Sequence, residues 1–250
     1  MIILTAGHTG PNTGAQCATT QFDEGAENIW LRNRVAEILT NRYGLVVLVD
    51  DDRASLKLLV KALSEDVSLL ENISLTELTE NTEFFRQRLK DRCLTLRVPS
   101  GFDLSPTDST DNSDFNSSFP LIRSLAAQEV ARQIDTDFVI DLHFNAHGNP
   151  QARGTEAIVA DDATTLELRF ASRLAHVTSD ALDIPLRCIK SESQTPHRRL
   201  GMLHLTPQSI ILEVCFCTSP EDVEAYRNNR EKLAGELAWA IAELILDRET

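Results

Sequence analysis

The chain contains short apolar runs that each stop at a residue able to do chemistry. Ile2-Ile3-Leu4-Thr5-Ala6-Gly7 leads to His8, Phe138-Val139-Ile140-Asp141-Leu142 leads to His143, and Ile210-Ile211-Leu212 leads to Glu213. Runs this short and this continuous predict strands buried on both faces. Leu45–Val49 is a fourth such run. Between the first and fourth, Ile29, Leu31, Val35, Ile38 and Leu39 recur at helical spacing, which predicts a helix from about Glu24 to Asn41. Strand, helix and strand in this order predict a parallel βαβ unit. Later, the pattern predicts strands at Thr155–Val159, Ile184–Ile189 and Ser209–Val214, and helices at Thr164–Leu182 and Asn229–Leu246. No internal repeat is visible. The expected fold is α/β: a single three-layer domain over residues 1–250, with a mixed, mostly parallel sheet and helices on both faces.

Residues 54–120 break this rhythm and read as an insertion. Leu56, Leu59, Val60, Leu63, Val67 and Leu70 follow helical spacing, and two or three helices are expected before residue 98. Residues 99–120 carry four Asp and no Lys or Arg among Ser, Thr, Asn and Pro, which is loop composition. A helix over about 120–133 restores the α/β pattern.

Length and charge narrow the function. The chain has 250 residues, 42% of them hydrophobic, enough for one large core. Its formal net charge of -14 argues against nucleic acid and anionic lipid surfaces as partners, because the phosphate term would be repulsive. No stretch approaches the roughly 18 apolar residues of a membrane span, so no membrane insertion is expected. Met1 runs straight into the first strand without a basic leader segment, so the expectation is cytoplasmic synthesis without a signal peptide. Five scattered cysteines, an odd number, suggest reduced thiols. Cys215 and Cys217 read as small core residues beside the site.

In an α/β sheet, ligands and catalytic groups gather at the carboxyl ends of the strands. His8 and His143 offer two imidazole nitrogens there. Zinc accepts His nitrogen and Asp or Glu oxygen, and a catalytic zinc site keeps one position open. Glu24 opens the helix that follows the His8 loop and is placed to be a third ligand, although spacing alone does not separate it from Glu27. Glu213, at the edge of the core, is a candidate general base, since a carboxylate in a dry cleft has its pKa raised toward neutrality. His197 and Arg198 are candidates for lining a substrate groove, and His176 reads as a surface or packing residue.

Four places then resemble one family, the zinc-dependent N-acetylmuramoyl-L-alanine amidases of the type-3 group, which act on peptidoglycan. Gly7-His8-Thr9-Gly10-Pro11-Asn12-Thr13-Gly14-Ala15 resembles the GHGGxDPGA opening. Glu24 stands at the start of the first helix with Asn28 four residues on. His143-Phe144-Asn145-Ala146 resembles HxNA, and Gly154-Thr155-Glu156 the GTE that follows it. Ile211-Leu212-Glu213-Val214-Cys215-Phe216 resembles the late LVEIGF segment. The ordered set spans nearly the whole chain. The resemblance implies one zinc ion per chain on His8, Glu24 and His143, with Glu213 as general base and acid and Asn145 near the substrate. The implied reaction is hydrolysis of the amide between N-acetylmuramic acid and L-alanine by metal-activated water. Peptidoglycan or muropeptides are the implied partners, with action at the cell wall or periplasm by an export route that the sequence does not show.

The chain departs from the pattern at Thr9, at Asn12, at Asp141 two before His143, and at Thr218-Ser219-Pro220 after the late Glu. The insertion is the largest departure. Some family members carry an inserted helix that covers the zinc cleft until an activator protein moves it. By that likeness Glu77, Glu80 and Glu83 are candidate regulatory residues, and low basal activity is expected. Two other readings remain open: a zinc hydrolase of another amide or peptide, and a metal-free peptidoglycan-binding module on the same fold.

Overall fold

The computed structural model describes residues 2–8, 14–49, 138–196, 198–204 and 208–246. The helices expected over 54–98 and 120–133, and the loop between them, lie outside the described residues. The described elements in chain order are β1 (Ile2–Ala6), β2 (Gln16–Cys17), β3 (Phe22–Asp23), α1 (Glu24–Tyr43), β4 (Val47–Val49), β5 (Phe138–Asn145), β6 (Thr155–Val159), α2 (Thr165–Leu182), β7 (Leu186–Ser191), β8 (Ser209–Phe216) and α3 (Pro220–Leu246). Short 3-10 turns occupy Glu192–Gln194 and Gly201–His204.

Six strands form one sheet in the order β4-β1-β5-β8-β6-β7, and β2 pairs with β3 in a small hairpin. Within the sheet every pairing is parallel except β6 with β8. The mixed, mostly parallel α/β sheet expected from the apolar runs is therefore the one that forms.

Strand alternation sorts the sheet into two unlike faces. On one, Ile2, Leu4, Phe138, Ile140, Leu142, Ile210 and Leu212 join Leu31 and Leu39 of α1, Phe170 and Leu174 of α2, and Leu237 and Ile241 of α3 in a single buried cluster. All three long helices of the described residues pack on this side, α3 between the other two. Phe138 and Phe170 stack face to face, 3.8 Å between ring centroids. On the other face, Ile3 meets Val139, while Ile158 and Ile211 lie under Leu203, with Met202 beside both groups. This second face carries the polar residues discussed below.

The helix ends explain where the sequence expectations shift. α1 stops because Gly44 takes the left-handed conformation (φ 68°), and its N–H and that of Leu45 close back onto Thr40 O and Leu39 O. Leu45 is thus spent on the cap, and β4 begins at Val47 rather than Leu45. At the start of α2, Thr164 and Glu167 form a reciprocal capping box, and the buried Glu167 also accepts the Ser209 N–H, fastening the helix to β8. α2 ends on Asp183, left-handed at φ 54°, and β7 follows at Leu186 rather than Ile184.

α3 begins at Pro220, well before the expected Asn229. Its first turns are mostly polar, so apolar periodicity alone starts the helix too late. The overlooked signal is Ser219-Pro220-Glu221: Ser219 Oγ accepts the Asp222 N–H, and proline suits the first helical position.

Asp222, in that first turn, is wholly buried. Its carboxylate accepts the N–H groups of Gly154 (2.7 Å) and Phe216 (3.2 Å) and pairs with Arg153 Nε (3.0 Å). It therefore joins α3 to the ends of β6 and β8. Asp222→Ala leaves two backbone donors and a guanidinium without their acceptor. The expected cost is about 3 kcal/mol or more, because breaking a buried charged network strands its partners. Urea unfolding measures it as a lower midpoint at unchanged m-value, with Asp222→Asn less affected.

Candidate active site

The carboxyl ends of β1, β5 and β8 lie side by side, and the amino end of the antiparallel β6 reaches the same edge. Register fixes the neighbours: Thr5 stands beside Asp141, His143 beside Glu213, and Glu213 beside Glu156. Period-two alternation puts these five residues on the face opposite the three helices. His8 follows β1 by one residue, and Glu24 opens α1 directly after the β2–β3 hairpin.

His8, Glu24 and His143 converge. Each offers one ligand atom, and the three atoms lie within 4.8 Å of one another. Glu24 Oε1 is 3.8 Å from His8 Nε2 and 3.5 Å from His143 Nδ1. With zinc–ligand bonds of about 2.0–2.1 Å, two ligands of a tetrahedron stand about 3.4 Å apart, so the spacing fits such an ion. The Glu24 carboxylate is held in place by three donors: Ala15 N–H to Oε2 (2.6 Å), and Phe144 N–H (3.0 Å) and Asn28 Nδ2 (3.4 Å) to Oε1. Burial works against its charge, but the His143 hydrogen bond, the two imidazoles and the Ala15 amide outweigh burial and hold Glu24 below the usual carboxylate range.

The two imidazoles differ. Burial lowers the pKa of His8, with the His143 ring adding to it against the pull of Glu24, which leaves a neutral ring with a free lone pair. His143 Nε2 lies 3.0 Å from Asp141 Oδ2, and Asp141 Oδ1 in turn accepts the Thr5 hydroxyl at 2.7 Å. With Asp141 accepting, Nε2 carries a proton towards it, and Nδ1 faces Glu24. Carboxylates commonly fix the tautomer of a metal-ligating imidazole in this way. Burial disfavours a charged His143, yet the Asp141 charge and hydrogen bond, with Glu24 and Glu213, raise it well above the usual histidine range.

Glu213 is different again. Its Oε2 is cut off from solvent and has no hydrogen-bond partner among the described residues. Burial pushes its pKa up to about 7, with His143 and Lys190 pulling down and Glu24 and Glu156 pushing up. A carboxyl near neutrality can both take and return a proton.

The sequence pattern of the N-acetylmuramoyl-L-alanine amidase family matches residues 106–246, more than half of the chain. The chain belongs to this family. The matched stretch holds His143 and Glu213; His8 and Glu24 lie before it, and the fold brings them to it. No curated protein matches the sequence. Among solved structures, an N-acetylmuramoyl-L-alanine amidase from Clostridium difficile 630 is 18% identical, with TM-score 0.54 over 98% of this chain and 94% of that one. The catalytic domain of CwlV, an amidase from Bacillus (Paenibacillus) polymyxa var. colistinus, is 15% identical, with TM-score 0.56 over 99% and 97%. The CwlD amidase from Clostridioides difficile, solved in complex with the GerS lipoprotein, is 15% identical, with TM-score 0.58 over 98% and 96%. Such distant likenesses speak for the fold, and all three are amidase folds.

Two glycines of the amidase opening motif have visible work. A Cβ on Gly7 would fall 1.9 Å from His143 Nε2, and one on Gly14 (φ 73°) would fall 2.5 Å from Glu24 Oε2. The backbone passes this close to the site only because it carries no side chain there.

The other sequence candidates fare unequally. Asn145 Nδ2 donates to Glu156 Oε2 (3.1 Å), and Asn145 Oδ1 accepts the Ala146 N–H, so its amide is engaged within the amidase fold. Arg198 sits on an exposed turn with φ 59°, and no hydrogen bond or ion pair among the described residues ties it to the four site residues. His176 is exposed on α2, bonded to Ser172 O at 2.7 Å. His197, Glu77, Glu80 and Glu83 lie outside the described residues.

Sequence reasoning missed the roles of Asp141 and Glu156. Asp141 stood out only as a departure from the family pattern, and its position two residues before His143, on the same strand face, was the available signal. Glu156 is buried beside Glu213 and pairs with Arg187 Nε (2.6 Å) and with Lys190. Burial raises its pKa, but those two cations outweigh burial and lower it.

Two outcomes follow for the site. Gly7→Ala is expected to displace the His143 ring and break up the His8–Glu24–His143 group, with far-ultraviolet circular dichroism unchanged; shifted His143 ring resonances in NMR read it. A depressed Glu156 pKa contributes stability that is present above its unfolded value of about 4.5 and lost as pH falls through the folded one. The stability gap between wild type and Glu156→Gln is therefore expected at pH 7 and closes below about pH 4.5, where protonated Glu156 resembles Gln; urea titrations across that range measure it.

Proposed function

We propose that this amidase hydrolyses the amide between the lactyl group of N-acetylmuramic acid and L-alanine in peptidoglycan, with one zinc ion held by His8, Glu24 and His143. The observation that carries the reading is the juxtaposition of that three-ligand group with Glu213, a half-buried carboxyl with one oxygen shut away from solvent and poised near neutral pH. When bound, zinc supplies Lewis acidity, which polarises the scissile carbonyl and makes water acidic enough to attack at neutral pH.

The chain's own residues do the rest. Asp141 keeps one His143 proton on Nε2, so the one on Nδ1 is the proton that a bound metal would displace. Glu24, fixed by Ala15, Phe144 and Asn28, keeps its carboxylate aimed between the two rings. Glu213 takes a proton from the attacking water as the carbon–oxygen bond forms. It then gives that proton to the departing L-alanine nitrogen as the carbon–nitrogen bond breaks. Its raised pKa suits both transfers. Asn145, Glu156 and the two cations hold the neighbouring wall in place. The substrate puts the place of action at the cell wall.

Purified protein loaded with zinc and given muropeptides is expected to release stem peptides with free L-alanine amino termini, seen by mass analysis. Glu213→Gln is expected to lower the rate by a factor on the order of 10² to 10⁴, the usual range for loss of a general base, while zinc stoichiometry stays at one. His8→Ala is expected to lose the zinc itself. Cleavage elsewhere in the stem peptide would point to another amide as substrate, and wild-type protein without stoichiometric zinc would leave a peptidoglycan-binding module on this fold.

A further inference from the structure

Cys17 closes β2, and Cys217 follows directly on β8. Two hundred residues apart in sequence, their sulfurs stand 2.6 Å from each other. Non-bonded carbon atoms keep about 3.5–4.0 Å between them and sulfur is the larger atom, whereas bonded sulfurs stand about 2.05 Å apart. The pair is thus far inside ordinary contact. Both residues are buried, at 7% and 0% exposure, so nothing from solvent separates them.

The surrounding backbone holds the two in register. The Thr20 hydroxyl donates to Cys217 O at 2.7 Å and reaches Cys17 O at 3.3 Å. The Cys217 N–H donates to Asn145 O at 2.8 Å, and Cys17 pairs with Phe22 across the hairpin. Arg227 of α3 clamps the hairpin turn through Thr20 O and Gln21 O. Cys215, two residues away and equally buried, has no such sulfur neighbour among the described residues.

We propose that Cys17 and Cys217 form a disulfide that fastens the β2–β3 hairpin to the end of β8. The bond forms by exchange with a small-molecule disulfide, R–S–S–R, before the hairpin closes over the pair. The Cys17 thiolate attacks one sulfur of R–S–S–R, giving a mixed disulfide and one RS⁻. The Cys217 thiolate then displaces the second RS⁻, and the two protons from the cysteines leave as two RSH. The protein dithiol loses two electrons and the small disulfide gains them. The link joins the hairpin that leads into Glu24 to the strand that carries Glu213, so both halves of the site share one covalent frame. The proposal replaces the all-reduced cysteines suggested by their odd number, and it stands whatever amide the enzyme cleaves.

The experiment equilibrates the full wild-type chain during refolding with glutathione and glutathione disulfide. The thiols are blocked with N-ethylmaleimide in guanidinium, and the chain is digested with trypsin without reduction. Of the five cysteines, Cys93, Cys188 and Cys215 are expected to carry maleimide. One cross-linked peptide pair is expected, joining the segment ending at Arg32 to that ending at Arg227; fragmentation should place the maleimide on Cys215 and the link on Cys217. The oxidised wild type should melt several degrees above its reduced form, and Cys17→Ser should show no such gap. Five blocked cysteines, or a link through Cys215, overturns the pairing. A correct link with no change in melting overturns the fastening role.

Discussion

The buried carboxylate of Glu24 is the constraint on which the rest of the site depends. At 2% exposure a charge is tolerable only if its surroundings answer it, and here they do so from four directions. Ala15 donates from the approach to β2, Phe144 from β5, Asn28 from the next turn of α1, and the two imidazoles face it from β1 and β5. Its place in the first turn of α1 adds the favourable end of the helix dipole. One charged group thus fixes the helix start, the hairpin before it and two strand ends relative to each other. The glycines at 7 and 14 are consequences, since any side chain there would strike His143 or Glu24.

The same edge of the sheet separates its acids by environment. Glu24 is surrounded by donors and stays charged. Glu156 is equally buried but has Arg187 and Lys190, and it too stays charged. Glu213, beside Glu156 in register, has an oxygen with no partner among the described residues and rises to about 7. A metal ligand must be ionised, whereas a proton carrier must be able to hold and release a proton near neutrality. Burial and the neighbouring donors and cations, not the residue type, set these different charge states. Asp141 extends the logic one layer back by fixing the His143 tautomer and being fixed by Thr5.

Much of the fold was legible because parallel strands buried on both faces leave continuous apolar runs, and β1, β5 and β8 are such runs. α1 and α2 were legible from helical spacing. The errors fell where capping, rather than periodicity, sets the boundary: at Gly44-Leu45, at Asp183 and at Ser219-Pro220. The start of α3 was missed because its first turns bury few apolar side chains. Asn145 was readable as a motif residue, but its engagement with Glu156 was not, because that bond crosses from one strand end to another.

By itself the sequence determined the α/β class, the family and the residue types at the strand ends, since these depend on local pattern and on motifs that survive distant divergence. Only the tertiary structure decided which groups meet. His8 and His143 are 135 residues apart in the chain, and Cys17 and Cys217 are 200 apart. The parallel register of β1 on β5 sets the two histidines at one edge, while the β2–β3 hairpin, outside that sheet, carries Cys17 to the residue after β8. The pKa of Glu213 is equally beyond the sequence, because it follows from which donors and charges the folded chain places around it and which it withholds.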